Sequence, residues 1–163
     1  MKSDDKIVSR ENFLLRIQRW RNKKIKVVFT NGCFDILHPG HIDYLEKARE
    51  CGDLLVVGVN TDKSVSSIKG DSRPINNEMT RAKVLAALAS VDLVTFFDED
   101  TPLELIRESH PDVLVKGSDY EIDQIVGADE VIRSGGEVKT ISLLQGFSTT
   151  AIIKIIQRLK IED

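Results

Sequence analysis

The sequence predicts an α/β fold in which a doubly wound parallel sheet of about five strands carries helices on both faces. Three observations support this prediction: the apolar runs are short, they are rich in β-branched and aromatic residues, and segments of helical periodicity separate them. The runs span residues 25–30, 54–60, 91–97, 113–116 and 138–144. Most of them are continuously apolar, which is typical of strands buried on both faces.

Apolar residues three and four positions apart mark the helices between these runs. Thr101, Pro102 and Glu104 have the pattern of a helix start, with a capping box and a proline in the first turn. Ser148 is placed to cap the last helix through its hydroxyl group. One more helix is predicted before the first strand, and its apolar side consists of Phe13, Leu14, Ile17 and Trp20.

Length and composition favour a single domain over residues 1–163, with an N-terminal helical extension (1–24) and a Rossmann-like core (25–160). Lys and Arg total 23 against 26 Asp and Glu, which gives no reason to expect a nucleic acid or an anionic membrane as partner. No apolar run approaches the ~20 residues of a membrane span, and the first residues lack the apolar region of a signal peptide. With two cysteines, Cys33 and Cys51, a reducing cytoplasmic location is expected.

The segment FTNGCFDILHPGH, residues 29–41, links the first predicted strand to the helix that follows it. In such sheets ligands bind at the carboxyl ends of strands, where the strand order switches, and the first turn commonly lies there. Pro39 suits the first turn of a helix, Gly40 allows close approach of a ligand, and a helix N-terminus attracts phosphate. The segment therefore predicts a phosphate site in which His38 and His41, three positions apart, face the same anion.

The chemistry that gains most from such a site is phosphoryl or nucleotidyl transfer, because positioning and charge stabilisation do most of the catalysis. A purely structural interpretation, in which one histidine caps the helix and the other packs on a neighbour, is disfavoured by the Pro-Gly pair between them. The chain contains neither G-x-G-x-x-G nor a P-loop sequence, which argues against NAD and P-loop chemistry. Zinc is not expected either, since Cys51 lies about 15 Å along the helix from His41, and no metal ligand is assigned to a protein side chain.

Several segments resemble a known family. FTNGCFDILHPGHIDYLEKARECGD is similar to the signature of HIGH-motif nucleotidyltransferases of the cytidylyltransferase-like group. IKGDSRPINNEMTRAKVLAAL, VDLVTFFDEDTP, PDVLVKGSDY and GFSTTAIIKII resemble the adenylyltransferase domain of bacterial ADP-heptose synthesis, so the likeness covers about residues 24–156. That domain joins ATP to D-glycero-β-D-manno-heptose 1-phosphate, giving ADP-heptose and pyrophosphate.

The resemblance implies ATP and a sugar 1-phosphate as substrates, Mg²⁺ bound with the ATP, and a homodimer. Several relatives carry a sugar kinase on the same polypeptide. Because only about 24 residues precede the first predicted strand here, the kinase step is expected to belong to a separate protein.

The resemblance also implies roles for individual residues. His38 and His41 would stabilise the pentacoordinate α-phosphate, while Lys69 and Arg73 would close over the pyrophosphate and Arg81 would serve the triphosphate. The position of Arg81 agrees with this, because a cation near a helix start is unfavourable unless an anion is present. The catalytic set is His38, His41, Arg81 and Lys69. The set for ATP is Thr30, Asn31, Gly32, Phe34, Gly40, His41, Arg73, Arg81, Lys116, Gly117, Asp119, Ser148, Thr149 and Thr150.

Several of these assignments keep an alternative. Lys69 and Arg73 belong to a predicted polar loop after the second strand, residues 69–74, which without the resemblance would be interpreted as an ordinary solvated loop. Asp35 would orient the sugar phosphate or a cation, or it would simply cap the local backbone. Lys116 would contact the sugar phosphate and Asp119 a hydroxyl group, although the wider group need not have a lysine at position 116. Ser148 caps its helix in either case and would also help to cradle phosphate.

The nearest rival is a glycerol-3-phosphate cytidylyltransferase-like enzyme, in which R-T-E-G-I-S-T-T precedes the last helix. Here Leu143 and Gln145 replace the arginine and the glutamate, which favours ATP over CTP. FMN adenylyltransferases are a more distant alternative. A module that binds nucleotide without turnover is the alternative from another functional class.

Overall fold

The computed structural model describes residues 2–119 and 121–159 and contains the expected sheet. Within these residues, five parallel strands lie in the spatial order β3-β2-β1-β4-β5. They are β1 (Val27–Gly32), β2 (Leu54–Asn60), β3 (Leu93–Phe97), β4 (Val113–Gly117) and β5 (Glu137–Ile141). The fold class predicted from the sequence is confirmed.

Helices precede β1, fill the connections between strands and follow β5. They are α1 (Ser3–Lys6), α2 (Arg10–Asn22), α3 (Pro39–Arg49), α4 (Asp62–Lys69), α5 (Glu78–Ala87), α6 (Leu103–Ser109), α7 (Ala128–Arg133) and α8 (Thr149–Arg158), with a 3₁₀ turn at Ile122–Gln124. Among the described helices, none combines the length and the apolar character that crossing a bilayer requires.

Each face of the sheet carries its own apolar core, because successive residues of a strand point to opposite faces. On β2, Leu55 and Val57 pack with buried residues of α3 and α5. Val56, between them, packs on the other face with buried residues of α2, α6 and α7. This arrangement explains why the strands read as continuous apolar runs.

The predicted N-terminal helix is present as α2, and its apolar side belongs to the second of these cores. Phe13 and Ile17 are buried, while Leu14 and Trp20 pack against them partly buried. Upstream, Ile7 forms a parallel bridge with Val94 of β3. The residues before β1 therefore contribute directly to the packing of the sheet.

Local details differ from the sequence prediction in three places. Lys69 ends helix α4 instead of lying in a loop. The predicted capping box is wrong: α6 begins at Leu103, and Pro102, which has no hydroxyl group to accept a bond, takes the N-cap position. The fifth strand ends at Ile141 rather than at residue 144, and the apolar residues that follow it face a cavity.

Candidate active site

The strand order changes direction at β1, which pairs with β2 on one side and with β4 on the other. A cavity of about 590 Å³ opens beyond the carboxyl ends of these strands, where open parallel sheets bind ligands. Thr30 and Arg81 are buried and are not part of its lining. The predicted site residues that line it are Asn31, Gly32, Phe34, Asp35, His38, Gly40, His41, Lys69, Arg73, Lys116, Gly117, Asp119, Ser148, Thr149 and Thr150.

The two histidines lie at the N-terminus of α3, with His38 at the N-cap and Pro39 as the first helical residue. Their rings stack with centroids 3.8 Å apart and an angle of 21° between planes. Burial lowers the pKa of His38. Burial, with the charges of His38 and Lys69, lowers the pKa of His41 to about 4. The pair is therefore uncharged at neutral pH, and each ring presents one N–H donor.

Aromatic side chains hold this pair from both sides. Phe147 lies almost parallel to the His38 ring at 6.3 Å, and Phe34 meets the His41 ring edge-on at 5.5 Å. Gly40 makes the packing possible, because a Cβ there would lie 3.1 Å from the His38 ring and 3.3 Å from Phe147. The Pro-Gly pair thus serves helix initiation and close packing of the imidazoles together.

The ends of β1 and β4 form one wall of the cavity. The Lys116 ammonium group donates a hydrogen bond to the Asn31 side-chain oxygen. Burial lowers the pKa of Lys116 to about 8, although the nearby Asp119 carboxylate opposes the shift. A Cβ at Gly117 would lie 2.5 Å from the Asp119 carboxylate and 3.2 Å from Leu143, so a larger residue there would displace the Asp119 side chain. This wall offers a cation whose charge a bound anion would stabilise.

Thr30 supports the site from beneath. The Tyr44 hydroxyl donates to the Val115 carbonyl at 3.1 Å and lies 2.7 Å from the Thr30 hydroxyl, which therefore donates to it. This buried chain of hydrogen bonds ties α3 to both β1 and β4. Burial also raises the pKa of Tyr44. Direct contact between Thr30 and ATP stays a prediction.

Asp35 pins the loop that follows α4 to the turn that carries the histidines. Its carboxylate accepts from the backbone N–H groups of Ile75 and Asn76, at 2.8 Å each, and from Arg73 Nε at 2.7 Å. Burial alone would raise the pKa of Asp35, but these donors outweigh it and hold the pKa below its usual value. These partners lie 38 to 41 residues away along the chain, so Asp35 bonds distant backbone rather than the local backbone of its own turn. Contact with a sugar or a cation stays a prediction.

Arg81 lies behind the cavity with its side chain completely buried. Its guanidinium donates to the Asp62 carboxylate at 2.7 Å, to the Cys33 carbonyl at 2.7 Å and to the Asn76 carbonyl at 3.0 Å. Asp62 is thus the anion that offsets this cation near the start of α5. The residue braces the turn after β1, and its predicted contact with the triphosphate stays a prediction.

Two other cations line the same cavity. Lys69 is exposed at the end of α4, and its charge contributes to the low pKa of His41. Arg73 is held through Nε by Asp35, while its Nη2 is buried and bonded to none of the described residues. Both side chains line the cavity and carry donors suited to phosphate oxygens.

The N-terminus of α8 completes the cavity. The Ser148 hydroxyl accepts from the Ala151 N–H at 3.0 Å, which confirms the predicted cap. The Thr149 hydroxyl donates to the Ile36 carbonyl at 3.2 Å and ties α8 to the histidine turn. Thr150 lines the cavity beside them.

The sequence prediction left out some residues of the lining. They are Cys33, Tyr44, Asn60, Ile68, Leu144 and Phe147, while Leu143 was used only as evidence against CTP. Two signals could have found some of them. Asn60 ends an apolar strand as Asn31 does, and Tyr44 lies three positions after His41 on the same helix face. Elsewhere in residues 2–119 and 121–159, as in this cavity, no three His, Cys, Asp or Glu side chains lie together as metal ligands.

The protein is thus of the doubly wound α/β class, and the helix N-terminus, two imidazoles and several cations at its switch point are groups suited to phosphate. The chain belongs to the cytidylyltransferase-like family, whose model matches residues 29–155. The bifunctional protein HldE of Methylobacillus flagellatus is 55% identical over 150 residues, which are 92% of this chain and 31% of that protein. HldE of Histophilus somni is 60% identical over 135 residues, 83% of this chain and 28% of that protein.

The chain thus spans about a third of the length of these relatives. Among solved structures, a lipopolysaccharide core biosynthesis protein from Thermoplasma volcanium matches with a TM-score of 0.59 and 30% identity. The match covers 74% of this chain and 97% of that one. Pantoate–β-alanine ligase of Francisella tularensis has a TM-score of 0.57 at 14% identity, with 93% and 76% covered, and shares the fold alone.

Proposed function

We propose that the protein is an adenylyltransferase that transfers AMP from ATP to D-glycero-β-D-manno-heptose 1-phosphate, forming ADP-heptose and releasing pyrophosphate. The observation that carries the proposal is the stacked, uncharged pair of His38 and His41 at the N-terminus of α3, between the cations of the two cavity walls. Sequence identity to HldE proteins and to a lipopolysaccharide core biosynthesis protein supports this choice of substrate.

In the proposed reaction an oxygen of the sugar phosphate attacks the α-phosphorus of ATP, and the bond from that phosphorus to the α–β bridging oxygen breaks. Charge grows on the equatorial oxygens of the α-phosphate and on the leaving pyrophosphate. Imidazole N–H groups and the backbone N–H group of Gly40 would stabilise the charge on the α-phosphate oxygens, since Pro39 has no N–H and the His41 N–H donates to the His38 carbonyl. Lys69 and Arg73, on the β2 side, and Lys116, on the β4 side, are the cations available to the other phosphate oxygens.

Mg²⁺ would enter with the nucleotide. The cavity residues do not themselves form a metal site, since no three ligands cluster among the described residues and Asp35 already accepts three N–H donors. The ion would therefore be held by phosphate oxygens, where it neutralises charge on the triphosphate when bound.

We also propose that the chain acts as a homodimer and that a sugar kinase supplies its acceptor. Neither part follows from the geometry of the cavity, and each has its own measurement. Sedimentation equilibrium of the purified chain gives the oligomeric state. A coupled assay with a kinase that phosphorylates the heptose at its anomeric hydroxyl shows whether the kinase product is consumed.

The alternative, a CTP-dependent enzyme, is disfavoured by Leu143. This residue lines the cavity together with Leu144 and Phe147, so that apolar side chains stand where related cytidylyltransferases have an arginine. Such a surface suits packing against the face of a purine, and it lacks the charged group expected to contact CTP.

The test is pyrophosphate release by the purified protein with Mg²⁺ and D-glycero-β-D-manno-heptose 1-phosphate, with ATP and CTP compared at equal concentration. We expect release with ATP and a rate at least tenfold lower with CTP. Binding of ATP without any release would reject the adenylyltransferase in favour of a binding module. Faster release with CTP would support the cytidylyltransferase.

A further inference from the structure

We infer that Asn60 is a specificity-determining residue, which accepts a hydrogen bond from a hydroxyl group of the sugar phosphate. The inference rests on the proposed function and adds to it the part of the cavity that recognises the acceptor. Asn60 is the last residue of β2 and lines the cavity, yet only 5% of it is exposed.

The first step is that the cavity has two unlike halves, one on each side of β1. The half at β4 contains Lys116 and Asp119 and is completed by Leu143, Leu144 and Phe147, which alone present a continuous apolar and aromatic surface. That surface suits a nucleobase. The half at β2 contains an amide and two cations, those of Asn60, Lys69 and Arg73. Polar groups of this kind suit a phosphate that carries hydroxyl groups.

The second step is that hydrogen bonds fix the orientation of the Asn60 amide. Its Nδ2 donates to the Ser64 hydroxyl at 3.0 Å, and that hydroxyl donates to the Glu99 carbonyl at 3.1 Å. Because the only hydrogen of the Ser64 hydroxyl is used by Glu99, its oxygen must accept from Asn60. The nitrogen of the amide is therefore turned to Ser64, and the oxygen is turned the other way.

The third step is that the Asn60 oxygen lacks a strong donor among the described residues. Its contact is the Cys33 thiol at 3.9 Å, and a thiol is a weak donor. Amide oxygens in buried positions normally accept at least one good hydrogen bond. The oxygen lies beside a cavity, so a ligand can supply the missing donor.

The fourth step identifies that donor. Phosphate oxygens are acceptors near neutral pH, and they pair with Lys69 and Arg73 rather than with an amide oxygen. A sugar hydroxyl group is a donor. The other candidate acceptor on this side, the Asp35 carboxylate, already receives N–H groups from Ile75, Asn76 and Arg73. Asn60 is thus positioned to distinguish acceptors by a hydroxyl group.

The experiment compares Asn60→Leu, which keeps the size of the side chain but removes the acceptor, with wild type and with Asn22→Leu. Asn22 is exposed at the end of α2 and provides a matched control. KM is measured separately for ATP and for the heptose 1-phosphate, and titration calorimetry measures binding of the heptose 1-phosphate alone. We expect Asn60→Leu to raise KM for the sugar phosphate about tenfold and to leave KM for ATP within twofold.

Monodeoxy analogues of the heptose 1-phosphate identify the hydroxyl group. In wild type, removing the hydroxyl group that donates to the Asn60 oxygen should raise KM for the sugar phosphate about tenfold. In Asn60→Leu the same removal should leave this KM unchanged. Ser64→Ala removes the hydrogen bond that orients the Asn60 amide. Because the acceptor oxygen itself remains, this variant should raise KM for the sugar phosphate less than Asn60→Leu does. It also provides a second variant if Asn60→Leu does not fold.

The outcomes separate the inference from the proposed function. Suppose that wild type turns over the heptose 1-phosphate. If both variants keep the wild-type KM for the sugar phosphate, or raise KM for the sugar phosphate and for ATP equally, the assignment of Asn60 is wrong and the proposed function stands. If wild type neither binds the heptose 1-phosphate nor releases pyrophosphate with it, both the proposed function and the inference about Asn60 are rejected.

Discussion

Helices α3 and α8 begin at the same cavity but are held in place by different means. Helix α3 buries Tyr44, Leu45 and Ala48 in the core of one sheet face. Helix α8 has no buried residue between Thr149 and Arg158, although it is rich in isoleucine. Ten residues are too few for a stable isolated helix in water, so α8 depends on the contacts at its first turn.

The difference assigns the two helices different parts in the site. The imidazoles proposed to face the reacting phosphate lie at the start of the helix anchored in the core, where rigid support keeps their geometry. The hydroxyl groups at the start of α8 lie on a helix of low local stability, which can open without unfolding the sheet. Changes on α3 should therefore affect stability or turnover strongly, and changes on α8 should act locally.

The largest expected effect is on the free energy of unfolding of Leu45→Ala. Leu45 is fully buried, and removing such a side chain costs about 2–5 kcal/mol. The matched change on α8 is Ile156→Ala, at a residue 52% exposed, which should cost less than about 0.5 kcal/mol. Urea unfolding of both variants gives the two values. A large loss for Ile156→Ala that grows with protein concentration would contradict the comparison and place the α8 face in a dimer contact.

The second effect concerns turnover. His41→Ala should lower kcat about 100-fold or more, because in the proposed reaction the imidazole stabilises charge that develops at the phosphate, while the midpoint of unfolding changes little. The control is His110→Asn, at a remote position whose left-handed backbone asparagine tolerates. Initial rates of pyrophosphate release give kcat for both variants. Unchanged turnover in His41→Ala would return His41 to a purely structural role.

Features of the site that depend on residues close together in the chain could be predicted from the sequence. The position of residues 29–41 in the fold could be predicted, because continuous apolar runs and helical spacing place this segment at a strand end of a parallel sheet. A phosphate site was predicted from Pro39, Gly40 and the two histidines, since helix N-termini attract anions. These features depend on neighbours in the chain.

Contacts between residues far apart in the chain could not be predicted in the same way. The burial of Arg81 against Asp62 and the Cys33 carbonyl joins three separate segments, and no local pattern encodes which anion a cation will meet. The pinning of residues 73–76 by Asp35 is of the same kind. The low pKa of His41 likewise follows from burial, which requires the packed structure. Sequence therefore indicated which residues gather at the site more reliably than what each one contacts.

The third effect is the pH dependence of stability. His41 has a pKa of about 4 in the folded protein, below the 6.5 of a free histidine, because it is buried near His38 and Lys69. As the pH falls from about 6.5 to about 4, the unfolded chain binds a proton that the folded chain does not, so the free energy of unfolding decreases. Urea titrations at pH 7, 6 and 5 measure the decrease, and His41→Gln should reduce it. An unchanged pH dependence in His41→Gln would mean that this imidazole is not desolvated.

The smallest effect tests α8 directly. Ser148→Ala removes the acceptor of the Ala151 N–H, and loss of such a cap costs about 1 kcal/mol of helix stability. Because α8 buries no residue, the loss should not reach the free energy of global unfolding. Hydrogen exchange should instead show amides of α8 opening about fivefold more readily, with those of α3 unchanged.

Ser148→Asn is the matched control, since asparagine caps helices as well as serine does. It should restore slow exchange in α8. If Ser148→Ala lowers the free energy of global unfolding by the full cap energy, α8 is part of the cooperative core after all. The contrast between an anchored α3 and a locally held α8 would then no longer hold.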